Sequence, residues 1–336
     1  MRIGYLMLVI LAVSWKALAA NSLAGESKAV TIAFDFESAQ AVITLLGQKH
    51  VSEEELTSTA RLAGNQQLIR KVASYATSAD EVFFKRTLKE LIETGTVEGR
   101  DLYDWKTVKA NRAAIQRMLA QLARQKQSFS NEVVGLISAY SPADMHATIR
   151  ACVLVGGGSL GFTFDNDNTF YVALQKVGDD YEGLKYLVVH ELYHSIQTVG
   201  ETKRRANLTA VKPPDNIGRA YVLLDNLWLE GSATLVGDPS DVPHPKPFLK
   251  EQQDEYVKNR NRRSGNAALF ESLLFQAYAD SAADVNRLYG IAFSTDFDET
   301  SYYVGYEMAK AIEQYEGKRP LRILSATAPS TSHYNT

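Results

Sequence analysis

Residues 181–199 read Tyr-Glu-Gly-Leu-Lys-Tyr-Leu-Val-Val-His-Glu-Leu-Tyr-His-Ser-Ile-Gln-Thr-Val, an apolar run that contains His190-Glu191-Leu192-Tyr193-His194. On a helix, residues four apart stand one above the other on one face, so the two imidazoles would lie about 6 Å apart and could grip one ion. Glu191 is turned slightly off that face, where it is better placed to take a proton from a water molecule at the metal than to bind the metal. Asp179 and Asp180 offer N-caps for this helix, and Gly200 offers a stop. With only six histidines in the chain, chance is a poor explanation of the spacing. The ion it suits best is Zn2+, held by His190, His194 and a third ligand.

The residues after His194 exclude one source for that ligand. A metzincin continues as HExxHxxGxxH, but the glycine position here is Gln197 and the third histidine position is Gly200. Further along, Asn226-Leu227-Trp228-Leu229-Glu230-Gly231-Ser232-Ala233-Thr234-Leu235-Val236-Gly237 reads as a second apolar helix with one carboxylate in a hydrophobic setting. A cation would relieve the cost of burying it, which makes Glu230 the expected third ligand. Gly231 would let this helix approach the first closely. His244 is the rival, but Pro243-His244-Pro245-Lys246-Pro247 reads as an exposed loop.

On these residues the chain resembles the gluzincins, zinc peptidases in which a second helix donates a glutamate. It is similar above all to little-characterised families of zinc-dependent peptidases that carry HExxH, then an E-G-x-A segment, then a Y-x-x-x-Y helix. The matching residues are His190, Glu191 and His194, then Glu230-Gly231-Ser232-Ala233, then Tyr302-Tyr303-Val304-Gly305-Tyr306, within roughly residues 150 to 325. The gap between His194 and Glu230 is longer than in thermolysin-type enzymes, and Thr234 stands where those have an aspartate. The residue that orients a ligating imidazole is left open between Asp225 and Asp238. The resemblance implies that a tyrosine of the third segment, Tyr302, donates a hydrogen bond to the oxyanion of the tetrahedral intermediate. A phenol packed into the core is the alternative reading of Tyr302.

At the front, residues 1–20 combine Arg2, an apolar run from Tyr5 to Trp15 and Ala17-Leu18-Ala19, the pattern of a secretory signal peptide with an A-x-A cleavage site. The run is too short to span a bilayer and no later stretch reaches about eighteen apolar residues, so extracytoplasmic protein, periplasmic or secreted, without stable membrane insertion is expected. Cys152 is the only cysteine, which excludes an intramolecular disulfide. The formal charge of −3, with no long basic face, gives no reason to expect nucleic acid.

About 310 residues remain after cleavage, enough for a sizeable core. Residues 27–145 read as a mostly helical N-terminal region. Ser52-Glu53-Glu54-Glu55 and Ser78-Ala79-Asp80-Glu81 fit the capping-box pattern, and the longest helix is expected from Asp104 past Leu122. Ser141-Pro142 ends the helical pattern. Residues 149–155, 161–164 and 170–174 are β-branched and aromatic runs that read as strands. Gly156-Gly157-Gly158-Ser159 reads as a flexible turn, Asp165-Asn166-Asp167-Asn168 as a hairpin turn, Lys258 to Arg263 as a solvated basic run, and residues 326–336 as a flexible tail.

The expected architecture is therefore α+β, with a zincin-like catalytic domain over 146–325 in which a small sheet precedes the HExxH helix and the glutamate helix. The expected function is an extracytoplasmic zinc metallopeptidase acting on a peptide or protein substrate, with Glu191 and Tyr302 catalytic. Two alternatives stand beside it: a non-catalytic scaffold of the same fold, and a zinc hydrolase of a non-peptide amide. The general base Glu191 is needed only by a hydrolase.

Overall fold

A computed structural model describes residues 29–143, 145–164, 169–205 and 215–326. Residues 1–20, 165–168 and 327–336, on which the signal peptide, the hairpin turn and most of the tail were expected, lie outside them. The architecture is mixed α and β, with a small sheet and a helical N-terminal region. Strand β1 (Ala29–Asp35) is followed by α1 (Glu37–Leu45), α2 (Glu53–Ala60), α3 (Ala63–Ala73), α4 (Glu81–Thr94), α5 (Trp105–Ala110) and α6 (Arg112–Ser138). Strands β2 (His146–Leu154), β3 (Gly161–Phe162) and β4 (Thr169–Ala173) come next. The rest is helical: α7 (Tyr181–Arg205), α8 (Asp215–Val236), α9 (Pro247–Asn261), α10 (Arg263–Ala279), α11 (Val285–Phe293), α12 (Thr300–Glu316) and α13 (Lys318–Ala326).

The sheet order is β1-β2-β4-β3, with β1, β2 and β4 parallel and β3 antiparallel to β4. Parallel pairing needs long crossovers, and here α1 to α6 form the first of them. The reading of residues 27–145 as helical missed β1. Its alternation of Val30, Ile32 and Phe34 is a half-buried strand pattern, and in the fold it pairs with β2 along its whole length. The main apolar core accordingly joins Val42, Phe84 and Trp105 to Val153, Val172 and Val189.

Several local expectations need correction. The helix expected from Asp104 is two, α5 and α6, broken at Asn111, whose side chain donates to the Gln175 carbonyl at 2.9 Å. Asp101, not Asp104, accepts from the first amides of α5. Ser52 and Glu55 form the capping box of α2, but α4 is capped by Asp80, which accepts from the Phe83 amide, rather than by Ser78. The Gly156 turn is packed: its φ is +102°, a Cβ there would come within 2.7 Å of the Trp105 ring, and the Gln175 side chain bonds Gly156 N and Gly157 O. Helix α7 runs through Gly200 to Arg205, since Glu201, Lys203, Arg204 and Arg205 are good helix formers that outweigh one glycine.

A second, smaller apolar cluster gathers Leu223 and Leu227 of α8 with Phe270, Leu288 and Phe293. Further along α8, Ala233, Leu235 and Val236 belong to the main core. Glu230 therefore sits where one helix passes from one cluster to the other, as does the start of α12, whose Tyr302 and Val304 join the smaller cluster and whose Tyr306 joins the main one.

Candidate metal centre

Helix α7 is held at its N-terminal end. Asp180 accepts from the Gly183 amide at 2.9 Å, capping the helix, and its other oxygen accepts from the Leu249 amide at 2.8 Å. Val188, Val189, Leu192, Tyr193 and Ile196 are buried in the main core. The face left over carries His190 and His194, and it turns toward α8.

His190 Nε2 and His194 Nε2 stand 3.3 Å apart, and Glu230 Oε2 lies 3.5 and 3.2 Å from them. A tetrahedral ion with ligands at about 2.0–2.1 Å sets its ligand atoms about 3.3–3.4 Å apart, so the triangle has the edges that zinc requires. Glu230 Oε2 is buried and has no hydrogen-bond partner. A buried carboxylate oxygen facing two imidazole nitrogens is satisfied by a shared cation. Among the described residues, His190, His194 and Glu230 are the group with this ligating arrangement. His244 is elsewhere, exposed and in left-handed conformation.

The imidazole is oriented by a residue that sequence reasoning passed over. His194 Nδ1 is 2.7 Å from Gln197 Oε1, while Gln197 Nε2 donates to the Leu229 carbonyl at 3.0 Å and to Ser232 Oγ at 2.8 Å. Those two acceptors fix which way the amide points, so its oxygen accepts a hydrogen bond from the His194 Nδ1–H and leaves the Nε2 lone pair free for a metal. The signal was the i, i+3 spacing from His194, which places Gln197 over the same face. Asp238, one of the two residues expected in this role, instead accepts from Tyr306 Oη at 2.6 Å and from Lys310 Nζ at 3.1 Å.

Gly231 does its work against a different helix from the one expected. A Cβ on Gly231 would fall 2.3 Å from Gly305 Cα, and one on Gly305 would fall 2.1 Å from the Leu227 carbonyl, so α8 crosses α12 backbone to backbone. The close approach to α7 is made by Gly237, where an added Cβ would meet His190 Cβ at 3.0 Å. With the Asp238–Tyr306–Lys310 cluster beyond it, the glycine crossing fixes Tyr302. Its ring stacks on the His190 imidazole, with centroids 6.1 Å apart and planes 11° from parallel. Tyr303 packs against Tyr256 instead. Burial, then the charges of Glu230 and Glu299, push the Tyr302 phenol far above its ordinary pKa, so it remains a proton donor. Tyr289 and Glu299, which also feel Glu230, are further neighbours not foreseen from the sequence.

Burial disfavours the charged form of His194, but the Glu230 carboxylate, Glu191 and Gln197 outweigh it and lift its pKa to about 9. Burial likewise opposes the Glu230 carboxylate, and His194 and His190 hold its pKa well below the usual range nonetheless. Without metal, then, His194 is an imidazolium at neutral pH, and an ion must displace its proton. Zinc uptake near pH 7 is expected to release about one proton from this group, and the affinity to weaken as pH falls. The stability that His194 lends the metal-free protein is full below its ordinary value of about 6.5 and is lost as pH rises through about 9. Zinc titration in weak buffer with a pH indicator, beside melting curves of chelator-treated protein from pH 6 to 10, checks both; uptake without proton release would contradict the assignment.

Residues 56–328 match the family described as "Putative zinc dependent peptidase (DUF5700)". The chain belongs to this family. The match begins in α2 and so takes in most of the helical N-terminal region as well as the metal centre. No curated protein and no solved structure matches the chain.

Proposed function

We propose that the protein is an extracytoplasmic zinc peptidase whose general base is Glu191. The observation that carries this reading is the triangle of His190, His194 and Glu230 with a glutamate adjoining the first histidine on the same helix. Family membership supports the coarser statement, a zinc-dependent peptidase. Bound at the three side chains, zinc supplies a Lewis acid and a water molecule acidified enough to be deprotonated near neutral pH.

The chain's own residues divide the remaining work. Glu191, half-buried and close enough for its charge to act on His194 and Tyr302, takes the proton from the attacking water and returns it to the leaving amine. Tyr302 keeps its proton and so can donate to the oxygen that gains charge in the tetrahedral intermediate. Gln197 holds His194 in the ligating tautomer. A metal that served structure alone would need none of Glu191, Tyr302 or an approach for substrate. His190 and His194 side chains retain 19% and 26% exposure, which leaves that approach open.

Tyr302→Phe is expected to lower kcat roughly ten- to a thousandfold with metal content unchanged, because one transition-state hydrogen bond disappears. Steady-state hydrolysis of a peptide substrate beside elemental analysis tests it; an unchanged kcat would remove Tyr302 from the chemistry. The leader read in residues 1–20 is part of the same proposal. No described helix is long and apolar enough to cross a membrane. N-terminal sequencing of the natural protein is expected to begin near Ala20 or Asn21 in a soluble extracytoplasmic fraction, and Met1 retained in membranes would contradict it.

A further inference from the structure

Helix α11 carries an aromatic pair whose outer member the chemistry above does not use. Tyr289 and Phe293 are four residues apart, so they share one face of the helix, and their ring centroids lie 5.0 Å apart. Phe293 is buried in the smaller apolar cluster, where it also meets the Tyr302 ring edge-on at 6.1 Å. Tyr302 in turn stacks on the His190 imidazole. Phe293 is thus a floor shared by two tyrosines, Tyr302 over the metal centre and Tyr289 beside it.

The two tyrosines differ in access. Tyr302 is half-buried between Phe293 and His190, whereas Tyr289 is 38% exposed. An exposed tyrosine needs no explanation by itself, because folded proteins leave much apolar surface in water. What distinguishes Tyr289 is where its ring lies. Its neighbours on α11, Leu288 and Ala292, are buried in the smaller cluster, so the helix is anchored and holds the exposed ring in place. Burial, and then the Glu230 charge, raise the pKa of its phenol, and the same phenol acts on that of Tyr302, in accord with a place beside the metal triangle.

Distance and ring chemistry decide what would cover that surface. Ring-to-ring steps of 5.0 and 6.1 Å separate Tyr289 from Tyr302. An extended peptide covers such a span within about three residues, at about 3.3 Å each. A substrate whose carbonyl lies at the metal therefore carries side chains past Tyr289. The ring there already belongs to a series of tilted and edge-on contacts, and a further aromatic ring would extend it, gaining a pair contact beyond the burial that any apolar group gains. We propose that Tyr289 determines specificity by packing its exposed ring against an aromatic side chain of the substrate close to the scissile bond. This rests on the peptidase reading and deepens it.

The test uses zinc-loaded full-length protein and short acetylated peptide amides of alanine and glutamine, with phenylalanine or alanine at each position in turn. Mass spectrometry locates the cut, and kcat/KM is compared within each pair cut at the same bond. In wild type, phenylalanine at one position within about three residues of the cut is expected to raise kcat/KM about 5- to 50-fold, from partial burial of one ring and one aromatic pair contact. In Tyr289→Phe, which keeps the ring, that ratio is expected to stay. In Tyr289→Ser it is expected to fall to about two or less, since both contributions disappear. Each reading is a ratio on one preparation, so partial misfolding lowers both members and leaves it intact. No preference for phenylalanine in wild type, a preference that survives in Tyr289→Ser, or one already lost in Tyr289→Phe overturns the proposal while leaving the peptidase reading standing. Should wild type cleave none of these peptides, the peptidase reading is what fails, and calorimetric titration with the same pairs still decides. Tighter binding of a phenylalanine member that is kept in Tyr289→Phe and lost in Tyr289→Ser upholds the role of Tyr289; equal affinities, or any other pattern, overturn it.

Discussion

Glu191→Gln is expected to lose on the order of a thousandfold or more in peptide hydrolysis while keeping its zinc. The amide has nearly the shape of the carboxylate, and the ligand atoms on His190, His194 and Glu230 are untouched, so the metal triangle stands. What disappears is the base. A glutamine cannot take the proton from water or hand it to the leaving amine. The variant is to be compared with wild type at equal zinc content, measured by elemental analysis on the same samples. Equal hydrolysis by the two proteins would show that Glu191 is not the base.

The second large effect is on the metal itself. Glu230→Ala removes the only anionic member of the triangle and leaves two imidazoles, one of them raised to a pKa of about 9 by that carboxylate. Zinc affinity is expected to fall by more than the 10- to 100-fold typical of losing an outer partner of a ligand. The proton on His194 should then leave at lower pH, since its neutralising charge is gone while burial, which opposes the imidazolium, remains. Competition with a chelator of known affinity reads the first effect, and NMR titration of the His194 ring reads the second. Unchanged zinc affinity would mean that another residue is the third ligand.

How much of this could be read in the sequence follows from what each feature depends on. The His190–His194 face was legible because helical spacing alone brings those residues together. Glu230 was legible because a lone carboxylate in an apolar helix demands a partner, although nothing local says which helix it meets. Gln197 shares the face of His194 at i, i+3, but a glutamine there signals nothing until Leu229 and Ser232, which orient its amide, are known to lie beside it. Gly231 was recognised as a point of close approach but assigned to the wrong neighbour, because a missing Cβ tells how close a helix can come and not what comes. Asp238 lies close to Glu230 in sequence, but its carboxylate binds Tyr306 and Lys310, contacts across some seventy residues of chain that proximity does not reveal. Strand β1 was hidden by its isolation among helices, since its partner β2 is more than a hundred residues away and parallel pairing leaves no turn signal between them. The left-handed turn at Asp298, whose carboxylate binds Lys258 and Arg262, depends on ion pairs from α9 and from the residue that joins α9 to α10, which no reading of one segment reveals.

The central claim is that this site hydrolyses peptide bonds with zinc. Digestion of a random peptide mixture by the mature protein, read by mass spectrometry before chelation, after chelation and after zinc is restored, tests it most directly. The account predicts new amino and carboxyl termini that vanish with the chelator and return with zinc. Cleavage that persists without metal, or zinc-loaded protein that produces no new termini across the mixture, would contradict it.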